Sequence, residues 1–264
     1  MEALKHKKLF LLDMDGTLYL GEQLFTQTKA FLQQIRENGG RYLFLTNNSS
    51  KNVRAYVEKM ARLGIPATED DFFTSAMATV LHLQAHYAAD TVYVEGTDSL
   101  RQELEAGGIA TATAPTNEVT CLLAGYDTEL TFRKLEDACI LLNRGVKYLA
   151  THPDMVCPTE YGSAPDCGSV CEMLWHATGR RPSAVIGKPQ PAMAQLAMQK
   201  CGATPEETVM IGDRIYTDIA CGVNAGIDTI LVFSGETTPE DLQKSATRPT
   251  YAAADVGEIL KYLR

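Results

Sequence analysis

The sequence predicts an α/β fold, a Rossmann-like parallel sheet core with an inserted α/β cap domain. Short apolar runs bounded by turn residues alternate with stretches of helical period from end to end, as parallel strands and crossover helices require. With 264 residues and 45% hydrophobic content, the chain can bury a sizeable core.

Taken in chain order, "KLFLLDMD" and "RYLFLTNN" read as strands framing a helix around "TKAFLQQIRENGG", whose paired glycines are a stop signal. A second helix, "NVRAYVEKMARLG", again closes on glycine. The middle of the chain forms its own series. "DTVYVEG", "EVTCLLAGYD" and "VKYLATHPD" read as strands, with "DSLRQELEAGG" and "TFRKLEDACILLNRG" as the helices between them. A long polar stretch, "MVCPTEYGSAPDCGS", leads into the helix "VCEMLWHATG". Three further apolar runs follow, "PSAVIGKP", "ETVMIGD" and "IDTILVFSG", with the helix "PAMAQLAMQKCG" after the first. The expected organisation is a discontinuous Rossmann-like catalytic core at 1–78 and 183–264, and an α/β cap domain at 79–182.

Composition narrows the function classes. A formal net charge of −9 argues against a broad nucleic-acid surface, which needs clustered Lys and Arg. No run of about 18 apolar residues is present to span a membrane, and "MEALKHKK" lacks the apolar segment of a secretory leader. Seven cysteines without a CxxC pair fit reduced thiols, with Cys167 and Cys171 in the core. The expected setting is cytoplasmic, with no nucleic-acid and no membrane partner.

The chemistry-bearing residues fall at carboxyl ends of strands predicted for the discontinuous domain, where open α/β sheets place their ligand crevice. Asp13 and Asp15 are two positions apart, so on a strand both point the same way and repel unless positive charge intervenes. An acidic pair beside glycine also fits an ordinary turn. The functional reading makes one carboxylate a nucleophile, kept ionised by a divalent cation, and the other a proton donor and acceptor. Gly16 lets the backbone turn sharply so that amide N–H groups can face an anion. Thr46 can donate its hydroxyl to that anion, or Thr46 and Asn47 can simply cap the next helix. Lys188, in "GKP", is either a turn lysine facing the site or a solvated charge. Asp213 ends a strand after glycine. Asp218 falls in the first turn of the next helix, where it can ligate a cation, orient its waters, or favourably face the helix dipole. Oxygen donors without His or Cys point to Mg²⁺.

The ordered set "DMDGT", "FLTNN", "GKP" and "GDRIYTD" resembles the haloacid dehalogenase-like superfamily of aspartate-nucleophile phosphatases. "TNNSSKNVRAYVEKMARLG" and "ATHPDMVCPTEYGSAPDCGSV" are similar to its subfamily IIA, the NagD-type and p-nitrophenylphosphatase-type enzymes. The resemblance implies Asp13 as nucleophile and Asp15 as acid/base, with Thr46, the main chain at Asn47, and Lys188 on phosphate. It further implies Mg²⁺ held by Asp13, Asp213 and the main-chain carbonyl of Asp15, with Asp218 in support. His152 and Asp154, which end a cap strand, are candidate substrate contacts. The implied function is a Mg²⁺-dependent phosphatase acting on small phosphorylated metabolites through an aspartyl-phosphate. The alternatives are a phosphotransferase or phosphomutase sharing that species, and a non-catalytic phosphometabolite-binding protein. Cap-mediated dimers occur among relatives, so by analogy alone a homodimer is one possible state.

Overall fold

The structure, a computed structural model, describes residues 1–159 and 161–264. Its compact units are two: Met1–Thr46, Val57–Phe73 and Lys188–Arg264 form the first, and Asn47–Tyr56 with Thr74–Gly187 form the second.

The first unit is built on a six-stranded sheet in which Leu9–Leu12 is central. All four of its residues are buried, the mark of a strand covered on both faces. It pairs in parallel with Arg41–Thr46 on one side and Thr208–Gly212 on the other; Asp228–Val232 and Tyr251–Ala253 extend the sheet beyond the latter. Parallel pairing brings the carboxyl ends of the three central strands to one edge. Helices Thr28–Glu37, Val53–Arg62 and Pro191–Cys201 coincide with the predicted periodic segments. Pro191 opens the last of these, and Gly202 closes it at φ +64°.

The second unit has a five-stranded parallel sheet in the order Ala184–Val185, Lys147–Ala150, Cys121–Ala124, Thr91–Glu95, Ala110–Ala112. Side chains alternate across it. Tyr93 and Leu122 pack into one apolar cluster with Leu141 and Leu174, while Val92, Val94 and Leu123 pack into another with Leu83 and Leu104. Two segments differ from the sequence reading. "PSAVIGKP", expected as a strand of the catalytic core, instead forms the edge strand of this sheet: Ser183 and Ile186 donate their main-chain N–H groups to Tyr148 O and Ala150 O. Periodicity identifies a strand but not the sheet that receives it. The polar stretch after Asp154 contains an antiparallel hairpin, Val156–Thr159 with Gly162–Pro165. A two-stranded ribbon needs no apolar alternation, so its sequence carried no strand signal. All seven cysteines are thiols, and Cys167 and Cys171 are buried. Among the described residues no helix is long and apolar enough to cross a membrane.

Glu95 breaks the apolar lining of the second unit. It is fully buried, and neither carboxyl oxygen has a hydrogen-bond partner. Burial foremost, then the charge of Asp127, push its carboxyl up to about 8 against the pull of Lys134. It is therefore a neutral acid near pH 7. In the unfolded chain it ionises near 4.5, so proton release favours unfolding above that pH. Stability should fall as pH rises from about 4.5 to about 8 and level off beyond. Glu95→Gln removes the ionisation, and denaturant unfolding should show a gain of ~4–5 kcal/mol at pH 8.5 that shrinks to below ~1 kcal/mol near pH 5. An equal gain at both pH values would contradict this account.

Candidate active site

The site grows from the edge where the three central strands of the first unit end. Asp13 follows Leu12, and its N–H still donates to Ile211 O at 2.9 Å, so the ladder holds the residue at the strand end. The chain then turns tightly. Met14 O accepts from Leu18 N–H at 2.8 Å, and Gly16 N–H donates to Tyr19 O at 2.8 Å. Gly16 lies at φ +84°, and a Cβ there would sit 2.4 Å from Asp213 Oδ2. Conformation and space both demand glycine.

Lys188 joins the acidic residues. Its Nζ donates to Asp13 Oδ1 and to Asp218 Oδ1, both at 2.6 Å, and to Leu45 O at 3.2 Å. The ammonium is almost fully buried; that desolvation opposes its charge, but Asp13 and Asp218 outweigh it and hold its pKa above the ordinary lysine value. Asp218 also accepts from Arg214 N–H at 3.1 Å, and its Cβ lies where a side chain on Gly212 would have to go, 2.3 Å away. Thr46, the last residue of its strand, is buried.

Asp213 is fixed by residues the sequence reading did not single out. Glu236 N–H donates to its Oδ2 at 2.7 Å, Thr17 Oγ1 donates to its Oδ1 at 3.4 Å, and Thr237 N–H reaches its main-chain oxygen at 3.3 Å. Ser234 Oγ donates to Gly16 O at 2.7 Å. Gly235 passes so close that a Cβ would come within 2.0 Å of Asp213 Oδ2. A Ser-Gly pair ending a strand beside the Asp213 strand was the available signal.

Asp15 has a different environment. Its side chain is 49% exposed, and Lys59 Nζ lies 3.8 Å away while also sitting 4.0 Å over the Tyr19 ring. Partial burial raises its carboxyl pKa, opposed by Lys59, an N–H of Gly21 and Arg214. For Asp13, burial foremost and then the Asp218 charge push the carboxyl up to about 8, with Lys188 opposing; burial and Asp218 push Asp213 to about 6.

A divalent cation fits this donor set. Asp13, Asp213 and Asp218 each offer an oxygen within 4.8 Å of the others. Three carboxylates against one ammonium leave two net negative charges, which one such ion balances. Hard oxygen donors suit Mg²⁺.

The remaining sequence candidates lie in the second unit. Asn47 Nδ2 donates to both oxygens of Asp154 at 3.2 Å, and Asn47 O accepts from Ser75 Oγ. His152 Nε2 pairs with Asp166 Oδ1 at 2.9 Å, and its Nδ1 pairs with Thr151 Oγ1 at 2.9 Å. Burial lowers the His152 pKa, but Asp166 and then Asp154 outweigh it and raise it overall. Both expected substrate contacts, His152 and Asp154, are buried with their polar groups engaged by protein partners.

The family model for haloacid dehalogenase-like hydrolases matches residues 10–110, and a second HAD-like model matches residues 185–259. The chain is 35% identical over 260 residues to the 5'-nucleotidase YutF of Bacillus subtilis (strain 168), covering 98% of this chain and 100% of that one. A solved 4-nitrophenylphosphatase from Thermotoga maritima matches with a TM-score of 0.94 and 38% identity over 99% of each chain. A glycerol phosphate phosphatase from Mycobacterium tuberculosis, solved in complex with magnesium, matches with a TM-score of 0.91 and 29% identity over 99% of this chain and 78% of that one. The chain belongs to the haloacid dehalogenase-like hydrolases. Within that family it is a phosphatase of subfamily IIA, the NagD and p-nitrophenylphosphatase type, which hydrolyses phosphomonoesters with Mg²⁺ as cofactor.

Gly235→Ala tests the buttress behind Asp213. The added methyl must displace the Asp213 carboxylate, so the Mg²⁺ concentration giving half-maximal phosphatase activity should rise by about tenfold or more. An unchanged Mg²⁺ dependence would show that Asp213 tolerates the shift.

Proposed function

We propose that the phosphatase works through an aspartyl-phosphate on Asp13 and acts on small phosphorylated metabolites. The observation that carries the reading is the Lys188 ammonium, bonded at 2.6 Å to both Asp13 and Asp218, while Asp15 stands apart beside Lys59. Two carboxylates at the same strand end thereby take different environments, as a nucleophile and an acid/base require.

Asp13, Asp213 and the main-chain carbonyl of Asp15 would hold Mg²⁺, with Asp218 in support, and the ion would supply charge neutralisation for the phosphoryl group. Lys188, the Thr46 hydroxyl and the main chain at Asn47 bind the phosphate oxygens. An Asp13 carboxylate oxygen attacks phosphorus as the bond from phosphorus to the ester oxygen breaks, and Asp15 gives its proton to the departing alcohol. Asp15 then takes a proton from water, whose oxygen attacks the same phosphorus; the bond to Asp13 breaks, releasing inorganic phosphate and restoring the carboxylate. Asp154 serves by holding the Asn47 side chain, while His152 is engaged with Thr151 and Asp166.

Sugar phosphates, phosphoglycolate and nucleoside monophosphates are the proposed substrates, and p-nitrophenyl phosphate is a test substrate. The names of similar proteins support this range: a 5'-nucleotidase, a 4-nitrophenylphosphatase and a glycerol phosphate phosphatase. The test is phosphate release from a panel of these esters with and without Mg²⁺, for the wild type and Asp13→Asn. Asparagine keeps the shape but is a far weaker nucleophile, so kcat should fall by about 10³-fold or more. Comparable turnover by Asp13→Asn would remove the covalent mechanism.

A further inference from the structure

Arg214 has no part in the mechanism above, yet it lies among the acidic residues. It directly follows Asp213, its own N–H binds Asp218, and its guanidinium Nε lies 2.8 Å from Glu236 Oε2. Glu236 is itself tied down: its Oε1 accepts the Tyr216 hydroxyl at 2.6 Å, and its main-chain N–H is the donor that fixes Asp213. One residue therefore orients a cation with its side chain and the candidate metal ligand with its backbone. The Arg214 side chain is only 18% exposed, and its charge is felt by Asp13, Asp15, Asp213 and Asp218.

Charge counting shows why such a cation is useful. Three clustered carboxylates and Lys188 leave two net negative charges, which one Mg²⁺ balances; a phosphate dianion then adds two more. Lys188 is already shared between Asp13 and Asp218. Arg214 is permanently charged and cannot lose its proton at working pH.

We propose that Arg214, positioned by Glu236, is an electrostatic positioning residue that offsets the acidic cluster beside the Mg²⁺ site, weakening cation binding while favouring the phosphorylated states of the reaction. The proposal rests on the mechanism proposed above. It carries an unusual signature: removing the charge should tighten Mg²⁺ binding and slow catalysis together. A residue that only supports the fold would weaken both.

The experiment is calorimetric titration of Mg²⁺ into metal-stripped full-length protein, alongside kcat for p-nitrophenyl phosphate at saturating Mg²⁺. Arg214→Gln should bind Mg²⁺ about threefold tighter or more and lose about tenfold or more in kcat, whereas Arg214→Lys should keep the wild-type affinity within about twofold. Arg214→Met, which preserves the packing of the stem, provides a second neutral replacement. Unchanged or weaker Mg²⁺ binding in the neutral variants overturns the proposal, as does failure of both to fold, which would assign Arg214 to folding. Wild-type turnover with Mg²⁺ and its loss in Asp13→Asn are the controls. If they fail, the covalent mechanism falls; if they hold while Arg214→Gln binds Mg²⁺ like the wild type, only the role of Arg214 is lost.

Discussion

The constraint on which the first unit depends is the burial of one ammonium between two carboxylates. Lys188 has no water to solvate it and must be bonded; Asp13 and Asp218 converge on it at 2.6 Å because neither can remain buried and charged alone. Removing one member of such a set costs ~3–5 kcal/mol, since the others are left buried and uncompensated. The requirement propagates outward. Asp13 and Asp213 must leave adjacent strands at the same edge, which parallel pairing of Leu9–Leu12 with Thr208–Gly212 achieves and antiparallel pairing would not.

Close approach of the acidic side chains needs room as well as charge. Gly16 and Gly235 press on Asp213, and Gly212 presses on Asp218, each at a distance no side chain could occupy. The 234–237 segment supplies the donors Asp213 needs and grips Arg214 through Glu236. The Asp13 turn, Asp213 and the Arg214 cation are thus tied together by hydrogen bonds and the Arg214–Glu236 ion pair, the kind of pre-organisation that limits reorganisation at a polar site.

How much could be read from the chain follows from how local each signal is. Asp13 with Asp15, Thr46, Lys188, and Asp213 with Asp218 stood out because strand-ending apolar runs place them, and their relative spacing carries chemical meaning. Arg214 lies inside a motif that was read, but its importance depends on Glu236, which arrives from another strand end. Asp154 was visible as a strand-end acid, yet its partner Asn47 is separated from it by 107 positions, so that pairing could not be read from the local sequence. The placement of Ala184–Val185 was likewise decided by its hydrogen bonds to the strand Lys147–Ala150 rather than by its own residues. Local pattern names elements and reactive groups; long-range pairing decides which of them act together.

The strand order also bears on how the molecule is made. On the ribosome, the second unit's sheet has all its strands once Val185 has emerged, and it can fold while synthesis continues. Leu9–Leu12, among the first segments exported, must wait for Thr208–Gly212, so its apolar surface stays half-covered for most of translation. Asp13 is translated near the start, but its partners Lys188 and Asp218 come only with the last third of the polypeptide.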